Sequence, residues 1–257
     1  MKQFTVIFSV NAKIAVLLWY NIENISGESL YIMKIIAHIR TDFPTKFGIP
    51  RQSGLTDFES VIVFEPEYRR DEALRGIEGY SHLWIIWEFS EAKRDTWSPT
   101  VRPPRLGGNT RMGVFATRSP FRPNPVGLSS VKLLGTEKTD EGTVLKISGA
   151  DLMDGTPIYD IKPYLPFTDC HPDATGGFAE ERRSYSLKVE FPPHLLEKIP
   201  EEKRESLLEL LSEDPRPRYQ DDPDREYGFG FAGVNIIFFV GDGVLRVTDV
   251  QDTDQQN

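Results

Sequence analysis

Residues 115–127 read FATRSPFRPNPVG and gather the groups needed to hold an anion or a flat polar ligand. Arg118 and Arg122 carry planar guanidinium forks, and Asn124, set between two prolines, can donate and accept hydrogen bonds. Pro120, Pro123 and Pro125 fix φ and remove backbone donors, so after the apolar run 113–116 the chain must leave its sheet as a stiff loop. On such a loop a cation sits at a defined point. A surface turn with solvated arginines is the other reading of the same residues.

Charge sharpens the contrast. The chain totals −9, yet residues 96–136 contain no carboxylate, while Arg102, Arg105, Arg111, Arg118, Arg122 and Lys132 give that window +6 and leave −15 for the rest. Such a distribution does not describe a general nucleic-acid coat. It describes an acidic protein able to hold one anionic ligand at one place. Arginine rather than lysine suits planar recognition of phosphates or base edges.

Other segments offer weaker chemistry. Pro50-Arg51-Gln52 combines a rigid φ with a cation and an amide, and Asp154-Gly155-Thr156-Pro157 is a good turn with an Asx-type cap, most often structural. His82 opens the run HLWIIWEF, where a lone histidine among aromatics is usually a satisfied structural residue. Four scattered histidines and the single Cys170 give no metal-ligand spacing, exclude an intrachain disulfide and fit a reducing cytoplasm. Gly228, Gly230 and Gly233 match the dinucleotide pattern G-x-G-x-x-G, but residues 234–240 after them, VNIIFFV, form a strand rather than a helix. A glycine-bearing strand is the better reading.

The elements that must position these groups are mostly strands. Apolar segments at 34–40, 61–64, 82–89, 112–116, 126–135, 143–149 and 158–161 are short, rich in β-branched and aromatic residues, and separated by Gly and Pro. They predict a β-barrel domain over 33–168, with one short helix near 68–74. From 169 to 257 the composition changes. An amphipathic helix with Glu201 and Glu202 in its first turn and Leu207, Leu208, Leu210 and Leu211 on one face precedes a proline-rich loop and a terminal hairpin turning at Gly241-Asp242-Gly243. This predicts a small α+β second domain. Residues 1–32 read as an upstream extension, with Met33 the more convincing start; their apolar run carries Ser9, Asn11 and Lys13 and is shorter than the ~20 residues of a membrane span. No membrane association is expected.

Six segments taken together carry a resemblance: PRQ at 50–52, GYSHLW at 79–84, TVRPPRLGG at 100–108, RMGVFATRSPFRPNPVG at 111–127, DLMDGTPIYDIKPYLPF at 151–167, and DPRP with Tyr219 at 214–219. The chain resembles the TsaA-like tRNA methyltransferases, which methylate threonylcarbamoyl-adenosine beside the anticodon using S-adenosylmethionine. The resemblance spans essentially all of 33–220.

It implies a mainly β, α+β protein whose single-sheeted β-barrel binds S-adenosylmethionine without a Rossmann fold, and a cytoplasmic homodimer with active sites near the subunit interface. Implied cofactor contacts are Pro50, Arg51, Gln52, Arg118, Leu128, Asp154, Gly155, Thr156 and Pro157. They extend to Ser90 and Glu91, where the family often shows His-Gln and backbone contacts alone carry over. Asp154 is the residue to receive the acceptor's proton or to hold the cofactor amine, with His82 behind it. Arg122, Asn124, Arg216 and Arg218 are the candidates for the tRNA anticodon loop. A regulatory barrel that binds nucleotide or RNA without transfer, or an enzyme methylating a small metabolite, would share the pocket.

Overall fold

Alternation marks one strand of the first half most plainly. In His82–Glu88 (β3), Leu83, Ile85 and Trp87 are buried while the residues between them are not, the pattern of a strand with one face against a core. A computed structural model describes residues 33–103, 110–182, 186–216, 222 and 224–253. Within it Ala37–Arg40 (β1), Glu59–Phe64 (β2), β3, Val126–Thr139 (β6), Gly142–Ser148 (β7) and Pro157–Pro163 (β8) pair in the order β1-β2-β7-β6-β3-β8, and β8 returns to β1. Every pairing in this closed ring is antiparallel. Its interior is filled by Ile39, Ile62, Leu83, Ile85, Leu145, Ile147 and Ile158. Thr100–Val101 (β4) and Met112–Gly113 (β5) form a two-stranded ribbon apart from the ring.

The expected strands are present, with two local differences. The run at 112–116 extends only through β5 before winding into a 3-10 turn, Val114–Ala116, that buries Val114. In place of a helix near 68–74 there are two 3-10 turns, Pro66–Tyr68 and Asp71–Leu74, ended by Gly76 at φ 88°. Arg70 between them is extended, with φ −115° and ψ 116°, so no continuous helix runs through the segment.

The second half makes its own sheet. Lys188–Glu190 (β9), Tyr227–Phe231 (β10), Val234–Gly241 (β11) and Val244–Asp252 (β12) lie in the order β10-β11-β12-β9, with only β9 parallel to its neighbour. Ala232-Gly233 and Asp242-Gly243 turn the hairpins with positive φ at both residues, the geometry that matches strand twist. The glycines of the rejected dinucleotide pattern thus serve a strand and its turn. The Glu201–Ser212 helix buries Leu207, Leu210 and Leu211 against this sheet's core. Among the described residues no helix is long and apolar enough to cross a membrane, and no three His, Cys, Asp or Glu side chains cluster as metal ligands would.

The segment between β1 and β2 packs into this second core, although it lies between two strands of the ring. Phe43 and Phe58 meet edge to face at 5.2 Å, and both rest on Phe231 at 5.6 and 5.0 Å. Gly48 permits the closest approach: its φ is 90°, and a Cβ there would fall 2.2 Å from the Phe229 ring. Gly48→Ala should therefore cost about 2–5 kcal/mol, from left-handed strain plus overpacking. Urea unfolding measures it, and a variant as stable as the parent would remove this contact from the account.

Candidate functional site

Antiparallel order puts the chemistry at one rim. β1 and β3 end where β6 and β8 begin, because His38 pairs with Pro157 and the Ile39 carbonyl takes the Gly155 amide, while Trp87 pairs with Ile158 and Gly127, and Glu88 with Val126. The loops leaving or entering there are residues 41–58, Ser90–Ala92, the proline loop before Val126, and the Asp154–Pro157 turn before β8. They are the segments that carried the sequence expectations.

Hydrogen bonds tie these loops together. The Phe89 amide donates to the Pro125 carbonyl at 2.8 Å, which fixes Ser90 and Glu91 beside the proline loop, and Lys46 reaches Glu91 at 3.7 Å. On the other flank the Asp154 and Gly155 amides donate to the Phe43 and Ile39 carbonyls at 2.9 Å each, while Asp154 Oδ1 accepts from the Thr41 amide at 2.9 Å. Thr156, buried, donates its hydroxyl to the Met153 carbonyl at 2.7 Å. Gly155 sits at φ 73° with open space where a side chain would be, so a ligand can approach its backbone closely.

Between the flanks stands Arg118. Its guanidinium donates to Gln52 Oε1, and Gln52 Nε2 in turn donates to the Arg51 carbonyl at 2.5 Å, so both ends of that amide are used within the protein. Arg51 turns the other way and donates to the carbonyls of Asp214 and Arg216, joining the PRQ segment to the DPRP segment. The recess between Pro50, Arg51, Leu210 and Pro215 is apolar and barely large enough for one water, so it is no ligand pocket.

Behind Arg118 lies a chain of polar groups that the sequence did not reveal. Trp87 Nε1 donates to Ser129 Oγ at 2.9 Å, and Ser129 Oγ donates to Asp151 Oδ1 at 2.5 Å. Burial pushes the Asp151 carboxyl above the ordinary aspartate range; hydrogen bonds from Ser129 and from the backbone of Asp151 and Ser53, with the Arg118 charge, oppose but do not cancel it. One carboxylate thus links β3, β6, the PRQ segment, the proline loop and the start of DLMDGTP. Nearby, Tyr159 donates to Glu88, and burial together with that bond pushes its phenol up to about 12, so it stays neutral.

Not every expected residue arrives at this rim. His82 opens β3 six residues before Glu88, roughly 20 Å away at ~3.3 Å per residue. It pairs with Lys132, bonds Ser81 at 2.9 Å and faces the Tyr164 ring, so the structure does not support it behind Asp154. Arg216 is buried, with Nε and Nη2 on the Asp214 carboxylate at 2.9 and 3.1 Å, a structural ion pair rather than a projecting cation. Arg122 folds back onto its own loop, donating to the Thr117 carbonyl at 3.1 Å. Asn124 is exposed, and Leu128, 57% exposed, lies on the outer face of β6 just inside the rim. Arg105, Arg218, Tyr219 and the extension 1–32 lie outside the described residues.

A mainly β chain with a closed antiparallel ring and a second small sheet, its site loops gathered at one rim of the ring, has no Rossmann crevice among the described residues, and comparison with known proteins identifies its family. The model of the tRNA-methyltransferase O N-terminal domain matches residues 38–170, and that of the TrmO C-terminal domain matches 184–253. The chain belongs to the tRNA-methyltransferase O family. It is 40% identical over 221 residues to a tRNA (adenine(37)-N6)-methyltransferase of Escherichia coli strain K12, covering 82% of this chain and 94% of that one. A Pseudomonas aeruginosa relative, 39% identical over 85% of this chain and 97% of its own, carries the provisional description of an S-adenosylmethionine-dependent methyltransferase. A crystal structure of TrmO from P. aeruginosa superposes with a TM-score of 0.70 at 32% identity, covering 88% of this chain and 99% of that one.

The Asp151 chain makes a pH prediction. A carboxyl raised on folding adds stability below its unfolded value near ~4, and that contribution is lost as pH rises through the folded value. The stability of the parent minus that of Asp151→Asn should therefore be largest in acid, fall as pH rises above ~4, and level off beyond the folded value. Chemical denaturation of both proteins across that range reads the difference. A difference that grows with pH would mean Asp151 is stabilised as an anion instead.

Proposed function

We propose that this chain transfers a methyl group from S-adenosylmethionine to N6 of the adenine at tRNA position 37, with threonylcarbamoyl-adenosine as the acceptor nucleoside. The observation that carries the reading is Arg118, exposed, bonded to Gln52 and faced by Asp151, at the rim where the family's segments converge. The donor set fits the cofactor. Arg118 suits its carboxylate, the exposed Asp154 suits its ammonium, and the backbones of Pro50–Gln52, Ser90–Glu91 and Gly155–Pro157 suit a purine edge, with Leu128 as apolar contact. Bound there, S-adenosylmethionine supplies an electrophilic methyl on a sulfonium.

The protein's task is alignment. Displacement at a methyl carbon needs the acceptor nitrogen about 3–3.5 Å away and in line, and a rim of cross-bonded loops holds such geometry better than free ones. The acceptor nitrogen is ureido-like and must lose a proton; Asp154 is the exposed carboxylate to take it if the cofactor ammonium is held elsewhere, since the neutral Tyr159 cannot. Asn124 belongs to the RNA side, and Arg122 serves there mainly by stiffening its loop.

We read the six-stranded ring as a single-sheeted β-barrel, because every strand in it is bonded on both sides. The division into 33–168 and 169–257 follows the two sheets, and a cytoplasmic homodimer with sites near its interface follows from the resemblance. Arg118→Ala should lower methyl transfer by about 10²-fold or more while leaving the melting temperature in place. The assay uses labelled S-adenosylmethionine with tRNA carrying or lacking the threonylcarbamoyl group. Wild-type turnover by the variant would sink the assignment, as would label on unmodified tRNA or on small molecules. Cofactor binding without any transfer would favour the regulatory reading.

A further inference from the structure

Three large aromatic side chains stand in solvent beside the rim and belong to neither core. Trp97 is 52% exposed, Phe115 72% and Phe121 41%. Leaving such rings in water forgoes the burial energy that governs the rest of the fold. Their placement is nonetheless rigid. The Val114 amide donates to the Pro99 carbonyl at 2.9 Å, β4 pairs with β5, and the Thr117 hydroxyl closes the turn onto the Val114 carbonyl at 2.9 Å. The loop that follows carries three prolines.

The rings also have company of one sign. Trp97 and Phe115 form a stepped pair, with centroids 6.1 Å apart and planes 33° from parallel. The Arg94 guanidinium lies 3.8 Å over the Phe121 ring, and Arg122 lies 6.0 Å from the Phe115 ring. Exposed aromatic faces interleaved with arginine planes are the surface on which unstacked nucleic-acid bases settle, while the cations track the backbone.

We propose that Trp97, Phe115 and Phe121, with Arg94 and Arg122, form a stacking platform for the unpaired bases of an RNA loop. The platform deepens the tRNA reading above and rests on it: Phe115 lies three residues before Arg118, so a base held there is delivered to the cofactor end of the ring.

Charge selects this occupant over a second copy of the chain. A two-fold interface through the patch would set the same surface against itself, and Arg94 and Arg122 against the rings, with Arg118 beside them, would then face their own copies. Like charges facing across such an axis repel. A polyanion with splayed bases satisfies both the charge and the rings.

Binding, read apart from methyl transfer, tests this. Fluorescence anisotropy compares a short unstructured oligoribonucleotide with a paired RNA duplex of equal length, using the full chain as parent, Trp97→Ala, Phe115→Ala, Trp97→Phe and Phe115→Tyr. Each alanine variant should bind the single strand about tenfold more weakly. The Phe and Tyr variants should keep the parent's affinity, and duplex affinity should move by less than about twofold, because the phosphate contacts survive. Cofactor affinity and oligomeric state should not change.

Equal losses on single strand and duplex would overturn the platform, as would no loss in the alanine variants or loss in the Phe and Tyr variants. A changed oligomeric state would assign the rings to an interface between copies, and a parallel loss of S-adenosylmethionine affinity would assign them to the cofactor. If the parent shows the stacking signature yet never methylates tRNA, the platform stands and the methyltransferase reading falls.

Discussion

A strand whose neighbours both run the other way sends its two loops to opposite rims, and in a closed antiparallel ring this holds for every strand at once. The rest of the structure depends on that constraint. It brings the loop after β1, the turn after β3, the proline loop before β6 and the DGTP turn before β8 to one end, although they are spread over more than a hundred residues. The same constraint excludes His82, which opens β3 and therefore lies at the far rim. Alternation on each strand then divides the residues near the rim: Trp87 and Ser129 face inward and meet through a hydrogen bond, while Leu128 between their planes faces out.

Two anchors turn that convergence into a rigid site. Asp151 ties β3, β6 and two loops through a single partly buried carboxylate, with Arg118 as its only cationic neighbour among the groups that shift it. Buried polar networks reward full satisfaction, and in front of this one Arg118 is held by its bond to Gln52. From the other side the second sheet grips the loop after β1. Phe43 and Phe58 are buried in that sheet's core, and Arg51 donates to carbonyls of the DPRP segment. The PRQ residues thus report on the C-terminal half as much as on the ligand.

Local chemistry was legible in the sequence, and distant pairing was not. The hairpin turn at Asp242-Gly243, the amphipathic Glu201–Ser212 helix and the ring strands all announce themselves through short-range pattern. The proline loop was recognisable from its composition alone. Asp151 was hidden because Ser53, Trp87, Arg118 and Ser129, which join it in the folded chain, lie 22 to 98 positions away. Arg216 misled for the opposite reason: a cation between two prolines looks presented to solvent, yet Asp214 two residues earlier neutralises it in the interior. Its one available signal was that i, i+2 acid beside the proline pair.

The acidic second half then stops being an obstacle to a nucleic-acid substrate. Residues 169–257 carry 20 carboxylates against 10 lysines and arginines, a poor surface for a polyanion, and the buried Arg216 adds nothing to it. What this half supplies is mechanical, a core that clamps the PRQ loop. Its charge also has a use, because an acidic body confines attraction to the one carboxylate-free window and discourages RNA from lying elsewhere. A uniformly basic protein would bind tRNA more tightly and in more ways. One carboxylate-free, arginine-bearing window on an acidic scaffold would leave a bound polyanion few other places to lie.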